Sequence, residues 1–355
     1  MTDRTRMVAS LMKGIAVVWP EGLDHETFLR MCDAQGATPL IAQQFRGRTS
    51  ESGIPTPLAA RLEAAGRVHL AHEVVRQREL DSLLDRFAAE CVPVLVVKGA
   101  ALARTHYAHP ASRPRCDTDV FLERDAIPDG ERILTEAGYV EEDHSGGEWI
   151  SRQRTWVRTD TIGIRHSIDL HWALSNRQRY AGSLSFDELW SRGLPLHGAH
   201  IRMPCPVDAL LLAAVHLAAH HRAHERLIWL YDIHLLHARM SAEDLQTLAA
   251  RARERNIDMA LDVALALAVY WFGDNRDATP PVRASATAMS ELVEDLRFTR
   301  GLRPKLRLFR EHLLPPGAYL LKKYGVRSRA ALPALYLRRA IVASARLLRR
   351  YRAPD

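Results

Sequence analysis

Apolar residues recur at every third or fourth position through the first part of the chain, which places them on one face of an α-helix. The longest such run is Leu58, Leu62, Ala65, Val68, Ala71 and Val75, followed by Leu80, Leu83, Leu84 and Phe87. Glycine and proline interrupt the pattern between residues 49 and 57, which indicates a loop between an initial helical pair and this long helix. We therefore predict an N-terminal helical region over residues 1–90.

The pattern changes after residue 90, where short apolar runs rich in β-branched residues alternate with helical stretches. Strands are predicted over 92–97, 116–122, 156–161 and 166–172, and helices over 99–107 and 129–137. Gly138 is expected to end the second of these helices. The last two strands lie on either side of Gly163, and we expect them to pair antiparallel. Residues 91–205 are thus predicted to form a core with a mixed sheet.

From residue 206 onward the spacing is helical again. Two helical pairs are predicted, over 207–223 with 227–240 and over 241–253 with 258–272. A Pro-Pro-Gly sequence at 315–317 breaks the chain before a last predicted helix over 334–351. The predicted class is α+β, in which the core over 91–205 is flanked by the N-terminal helical region and by a C-terminal helical region over 206–355 with a basic end.

Two carboxylates, Asp117 and Asp119, stand two residues apart on the second predicted strand. Alternate side chains of a strand point to the same face, so these two carboxylates should project together. A third, Asp169, lies on the last predicted strand. Like charges at close range repel unless a cation lies between them, and Mg²⁺ prefers such oxygen ligands. The pattern predicts a site for nucleoside triphosphate chemistry.

Length and composition are those of a globular protein. The chain has 355 residues, of which 47% are hydrophobic and 26% charged, and this length suggests about two or three domains. Four widely separated cysteines argue against a disulfide framework or a zinc site and favour a reducing compartment, so we expect a cytoplasmic location. No apolar run reaches the roughly 20 residues of a membrane span, and no transmembrane segment is expected.

The net charge of +7 is unevenly distributed. Residues 297–352 contain sixteen Lys and Arg and one acid, a balance of +15, whereas the rest of the chain has a balance of −8. One interpretation is a set of helices whose basic faces are solvated. The other is a surface for nucleic acid, anionic lipid or an acidic peptide. Both interpretations remain open.

Four motifs follow one another along the middle of the chain. They are Val-Lys-Gly-Ala-Ala-Leu at 97–102, Arg-Pro-Arg-Cys-Asp-Thr-Asp at 113–119, Gly-Tyr at 138–139 and Ile-Asp-Leu-His-Trp at 168–172. Together they resemble the uncharacterised nucleotidyltransferase family of the DNA-polymerase-β-like superfamily. The resemblance continues through His216, His220, Arg-Leu-Ile-Trp at 226–229, Asp232, Pro-Pro at 315–316 and Tyr-Leu at 319–320. It covers most of the chain.

The resemblance implies a polymerase-β-like core in which Asp117, Asp119 and Asp169 hold two Mg²⁺ ions. A hydroxyl would attack the α-phosphorus of an NTP, and pyrophosphate would leave. One ion would lower the pKa of that hydroxyl, and the other would bind the triphosphate. Asp117 and Asp119 are expected to bridge both ions, while Asp169 is expected to contact the ion on the nucleophile side and to assist deprotonation.

The resemblance also implies a site for the phosphates of the NTP. The glycine–serine turn of the superfamily corresponds to Lys98, Gly99 and Ala100, and Ala100 replaces the usual hydroxyl residue. Phosphate contact is then expected from backbone N–H groups at the helix start and from Lys98. Arg113 or Arg115, just ahead of the Asp-x-Asp strand, is expected to neutralise phosphate charge.

Three histidines, His216, His220 and His224, recur every fourth residue and so share one helix face. That spacing can bind zinc, but no carboxylate or cysteine is matched to it and no His-Glu-x-x-His sequence occurs. We favour histidines that pack in the core or face the nucleotide cleft. Asp232, on the next predicted helix, is expected to orient one of them.

Two classes of function remain open from the sequence. The first is an enzyme that transfers a nucleotidyl group from an NTP to a hydroxyl of a small molecule, a peptide or protein, or RNA. The second is a catalytically weak or inactive nucleotidyltransferase fold that serves as a binding or regulatory module. The presence of all three carboxylates favours the enzyme. The sequence does not choose among these acceptors, because the helical regions that would bind an acceptor carry no portable motif. A peptide acceptor is suggested by analogy alone.

Overall fold

The computed structural model describes residues 2–142, 149–220, 226–273, 288–339 and 341. Its α-helices are α1 (Thr2–Met12), α2 (His25–Gln35), α3 (Thr38–Gln44), α4 (Thr56–Ala89), α5 (Lys98–Thr105), α6 (Ile127–Glu136), α7 (Phe186–Arg192), α8 (Pro206–His220), α9 (Leu227–Ala238), α10 (Ala242–Glu254), α11 (Asp258–Phe272), α12 (Ala288–Phe298), α13 (Leu302–Leu313) and α14 (Gly317–Lys323). Its strands are β1 (Val94–Val97), β2 (Thr118–Phe121), β3 (Val140–Glu142), β4 (Gln153–Thr159), β5 (Arg165–His171), β6 (Leu194–His197) and β7 (Ile201–Met203). The α+β class is confirmed.

The strands of the described residues form one mixed sheet in the order β3-β4-β5-β2-β1-β7-β6. At its centre, β2 pairs in parallel with β5 and antiparallel with β1, and β1 pairs in parallel with β7. The outer pairs, β3 with β4, β4 with β5, and β6 with β7, are antiparallel. The central strands are therefore paired on both edges, and all four residues of β1 are apolar and buried.

Each face of the sheet packs against a different hydrophobic core. Leu95 and Val97 of β1 belong to a core that includes residues of α1 to α3 and of α8 to α11. Val94 and Val96, which alternate with them, belong to a second core with the C-terminal part of α4 and with α6. The alternation follows from the pleat of the strand, and it places β1 between the two cores.

The helices at the start of the chain pack with those that follow the sheet. Residues of α1, α2 and α3 share a continuous core with residues of α8, α9 and α11. The ammonium group of Lys13 donates to the carbonyl oxygen of Phe272, at a distance of 2.8 Å. The division of the chain at residues 90 and 205 stays a proposal about sequence organisation, and both helical regions contribute to one folded core.

The predicted strands 92–97, 116–122, 156–161 and 166–172 overlap β1, β2, β4 and β5. Gly138 follows the predicted helix with a φ of 82°, and its N–H donates to the carbonyl oxygen of Thr135 at 2.9 Å. The sequence pattern did not reveal α1 or the β6–β7 hairpin. The hairpin is hard to predict because Pro195 interrupts β6 and Ile201 is its fully buried residue.

The basic end of the chain is described in part. Helices α12, α13 and α14 are followed by helical residues over 332–339, so the start of the predicted helix 334–351 is present. The arginines of that helix from residue 346 onward lie outside the described residues. Within the described ranges, no helix has the length and apolar character needed to cross a membrane.

Candidate functional site

A cleft of about 780 Å³ lies beside the C-terminal end of β1. One wall comes from α2, α3 and α4, and the opposite wall from α8 and α9. Between them lie the start of α5, the loop before β2, and residues of β2, β4 and β5. The cleft therefore lies between the sheet and the helices that precede and follow it, and its volume is in the usual range for a ligand site.

Two of the three predicted carboxylates are neighbours at the floor of this cleft. Asp119 of β2 and Asp169 of β5 are directly paired in the parallel register. Potential ligand atoms of Asp119, Asp169 and His171 all lie within 4.8 Å of one another. Asp117 precedes the first residue of β2, lines the same cleft and is exposed to solvent. The fold thus brings together residues that are about fifty positions apart in sequence.

Asp119 is held by two hydrogen-bond donors. The ammonium group of Lys98 lies 2.6 Å from its Oδ1, and Nε2 of His171 lies 2.8 Å from the same oxygen. Burial by itself would raise the pKa of this carboxyl group. The positive charge of Lys98 and the hydrogen bond from His171 outweigh burial and hold the pKa of Asp119 well below its usual range. Asp119 is therefore an anion in the folded protein.

Asp169 is fixed by neighbouring residues of β4. The side-chain amide of Gln153 donates to its Oδ2 at 2.5 Å, and the hydroxyl of Thr155 donates to its Oδ1 at 2.7 Å. Thr155 is the direct cross-strand partner of Asp169 in the antiparallel register. Both carboxylate oxygens are therefore oriented by a rigid strand. Neither donor was recognised from the sequence, because the pairing of β4 with β5 decides which polar side chains face Asp169.

Asp117 experiences a different environment from Asp119. It is open to the solvent of the cleft, but the surrounding protein limits its hydration and two other carboxylates lie nearby. Desolvation first, and then the negative charges of Asp119 and Asp169, raise the pKa of Asp117 to about 6. The crowding of three acids is what the sequence pattern predicted, and it leaves a place where a cation would be stabilised.

The turn between β1 and α5 has an unusual backbone at Lys98, which has a φ of 53°. Gly99 follows it, and a Cβ atom built on Gly99 would lie 2.2 Å from Nη1 of Arg113. A side chain at this position would therefore collide with the guanidinium group, which explains the need for glycine. Ala100 is buried and packs in the core below the turn.

Arg113 is held by a buried ion pair with α9. Its Nη2 lies 2.7 Å from Oδ2 of Asp232, and its Nε lies 3.2 Å from Oδ1. The hydroxyl of Tyr107 donates to the same Oδ1 at 2.7 Å. Asp232 thus binds Arg113 and Tyr107, and its expected role in orienting a histidine stays a prediction.

Arg115 is anchored on the opposite side, by α4. Its Nε donates to Oε1 of Glu73 at 3.1 Å, and both side chains are buried. Its Nη1 also donates to the hydroxyl of Thr118 at the start of β2. The two arginines before the Asp-x-Asp sequence therefore link their loop to α9 on one side and to α4 on the other. Both still line the cleft.

The predicted histidine row is described in part. His216 lines the cleft on α8, and its ring packs edge-on against Trp229 at a centroid distance of 6.1 Å. His220 is the last residue of α8, and His224 lies outside the described residues. Among the described side chains, His216 is not part of a group of three metal-ligating residues. His171 is the histidine that contacts a predicted carboxylate, and its position two residues after Asp169 is the sequence signal for it.

The carboxylates fit a divalent metal ion. Asp117, Asp119 and Asp169 supply oxygen ligands of the kind that Mg²⁺ prefers, and they converge on a cleft open to solvent. Asp119 and Asp169 are also oriented by hydrogen bonds, as metal ligands usually are. Asp119 and Asp169, on two central parallel strands beside a ligand-sized cleft, therefore form a candidate site for a divalent metal ion.

Residues 21–273 match the model of a family described as uncharacterised nucleotidyltransferase, and the chain belongs to that family. The family predicted from the motifs is therefore confirmed. No curated protein matches the chain. Among solved structures, the chain is similar to the solution structure of the antibiotic-resistance factor ANT(2'')-Ia, with 13% sequence identity and a TM-score of 0.36. That similarity covers 52% of this chain and 95% of the other.

Proposed function

We propose that the protein is a Mg²⁺-dependent nucleotidyltransferase that transfers a nucleotidyl group from an NTP to a hydroxyl group of an acceptor. The observation that carries the proposal is the direct pairing of Asp119 with Asp169 at the floor of the cleft, with Asp117 facing the same space. Membership of a nucleotidyltransferase family supports it. Mg²⁺ held by these three residues would neutralise phosphate charge and lower the pKa of an attacking hydroxyl group.

The residues around the carboxylates have distinct roles in this proposal. Lys98 and His171 keep Asp119 ionised and fix its position. Thr155 and Gln153 orient Asp169, whose carboxylate would accept the proton of the attacking hydroxyl group. A base held from two sides spends less of its time in unproductive orientations, which is how positioning contributes to catalysis.

The proposal assigns phosphate contact to Arg76, besides the Lys98–Gly99–Ala100 turn and the two arginines expected from the sequence. Arg113 and Arg115 each pair with a buried carboxylate. Arg76, on α4, lines the cleft together with Asp117, and within the described part of the chain it has no hydrogen-bond or ion-pair partner. The guanidinium group of Arg76 can therefore bind phosphate oxygens without first giving up an ion pair with a carboxylate.

Pyrophosphate release from each of the four NTPs, with Mg²⁺ and a cell extract as a source of acceptors, tests the proposal. Asp119→Asn and Asp169→Asn should each reduce turnover by about a hundredfold or more, because each removes a carboxylate that would hold the Mg²⁺ ion on which the transition state depends. Asp125→Asn is the matched control, since Asp125 is exposed and lies outside the cleft. Wild-type turnover in both site variants would contradict the assignment.

A binding or regulatory module is the second candidate, and two observations favour it. Lys98 already neutralises Asp119, and Ala100 stands where a hydroxyl residue is usual in the superfamily. NTP binding measured by calorimetry in the presence of Mg²⁺, without pyrophosphate release for any nucleotide or extract, would favour this module over the enzyme. The acceptor classes of the enzyme are a small molecule, a peptide or protein, and RNA, and labelled products from the extract would distinguish them.

A further inference from the structure

Helix α13 carries a row of apolar side chains on its outer face. Leu302, Leu306, Phe309 and Leu313 are spaced by four, three and four residues, which places them along one side of a helix. Each of them is between 44% and 73% exposed. Single exposed leucines are common on protein surfaces, but a contiguous row of large apolar residues usually marks an interaction site. We refer to these four residues as the apolar row.

The opposite face of α13 packs against the protein. Leu308 is buried, and Oε2 of Glu311 accepts a hydrogen bond from the backbone N–H of Trp149 at 2.9 Å. The guanidinium group of Arg339 donates to the carbonyl oxygen of His312 at 2.8 Å. The helix is therefore fixed on its inner side by side-chain and backbone contacts, and the apolar row points away from the body of the protein.

Cations lie on both sides of the apolar row. On an α-helix with 3.6 residues per turn, Arg303 and Arg310 fall on one side of the row and Lys305 on the other. Arg303 and Arg310 are exposed. In the part of the chain that the structure describes, neither Arg303 nor Arg310 forms an ion pair, and residues 297–352 have a sequence balance of +15. The outer face of α13 is thus an apolar row bordered by positive charge.

We propose that α13 binds the surface of an anionic lipid bilayer, with its axis in the plane of the membrane. The apolar row would enter the boundary between headgroups and acyl chains, and the flanking cations would meet lipid phosphates. The combination of an apolar row with positive charges on both sides favours an anionic bilayer over other binding partners. A nucleic acid would bind the cations but would leave the leucines and Phe309 in water. A second copy of the same face would bring like charges together. The proposal does not depend on transferase activity.

Co-sedimentation with vesicles tests the proposal, using the full chain. The probes are vesicles of phosphatidylcholine and vesicles that also contain phosphatidylglycerol. We expect binding to the anionic vesicles, weak binding to the neutral ones, and a fall of about tenfold when salt is raised from low to high concentration. Leu306→Gln with Phe309→Gln should lower the partition coefficient by about tenfold or more, because two large side chains no longer leave water.

A matched variant shows whether vesicle binding depends on the apolar row or on exposed apolar residues in general. Leu245→Gln with Met259→Gln replaces two exposed apolar residues elsewhere, on α10 and α11, and should leave vesicle binding unchanged. Circular dichroism checks that all variants are folded. Absence of binding to anionic vesicles, or equal binding by the Leu306/Phe309 variant, overturns the proposal.

Two further results would also overturn it. Binding to RNA or duplex DNA that depends on Arg303 and Arg310 but not on Leu306 and Phe309, without vesicle binding, would assign the face to nucleic acid. Self-association measured by sedimentation, lost in the Leu306/Phe309 variant and again without vesicle binding, would assign it to a second copy. Vesicle binding that is lost both in high salt and in the Leu306/Phe309 variant supports the membrane surface.

Discussion

Replacing Asp232 with alanine would leave the guanidinium group of Arg113 buried without its partner. The two side chains are only 9% and 5% exposed, and two hydrogen bonds of 2.7 and 3.2 Å join them. Breaking a buried ion pair from one side typically costs about 3–5 kcal/mol of unfolding free energy, because a charge stays desolvated. Tyr107 would also lose the acceptor for its buried hydroxyl group. We expect a loss in this range for Asp232→Ala.

Urea unfolding, followed by far-ultraviolet circular dichroism, measures the effect. With the usual dependence of unfolding free energy on urea, the midpoint should fall by about 1 M or more. Glu90→Ala is the matched control, because Glu90 pairs with Arg132 on the surface, where both side chains are partly exposed. An exposed ion pair contributes little to stability because water screens its charges, so the control should change the midpoint little.

A double variant tests whether the loss arises from the unpaired charge. Arg113→Met combined with Asp232→Leu removes both charges and should recover much of the stability that Asp232→Ala loses. A midpoint for Asp232→Ala equal to that of Glu90→Ala would refute the reasoning. The single variants Arg113→Met and Asp232→Leu complete the comparison. If the double variant lost as much stability as these two variants lose in sum, the reasoning would also be refuted, because the two side chains would then act independently.

Three other changes have defined expected outcomes. Gly99→Ala should lower the unfolding free energy by about 1–3 kcal/mol in urea titrations, since the added methyl group would collide with the guanidinium group of Arg113. Gly182→Ala, which has open space around the added methyl group, should leave the unfolding free energy nearly unchanged. Arg76→Gln should raise the KM for NTP about tenfold with little change in kcat, as judged against Arg78→Gln on the same helix. Thr155→Val should weaken Mg²⁺ activation of turnover by about tenfold or more, because it removes a donor that orients a carboxylate of the site.

Much of the architecture could be predicted from local pattern alone. The helices α9, α10 and α11 begin within a residue or two of their predicted positions, because the spacing of apolar residues directly reflects which face is buried. The runs of β-branched residues indicated β1 and β2, and Gly138 marked the end of α6. The position of Asp119 and Asp169 on two strands was likewise evident, whereas Asp117, expected on the same strand as Asp119, lies just ahead of it.

The environment of those carboxylates could be decided only by the tertiary structure. Hydrogen bonds to Asp119 come from Lys98 and His171, and the partner of Arg113 is 119 positions away on α9. Such contacts depend on the order of strands in the sheet and on how helices pack against it, and no local periodicity encodes them.

The outer face of α13 is a similar case. Its amphipathic pattern is visible in the sequence, but which side is buried follows from where Leu308 and its neighbours meet the rest of the protein. Local sequence determines which elements form and which residues can do chemistry, whereas packing between distant elements determines which charges are paired and which surfaces face water.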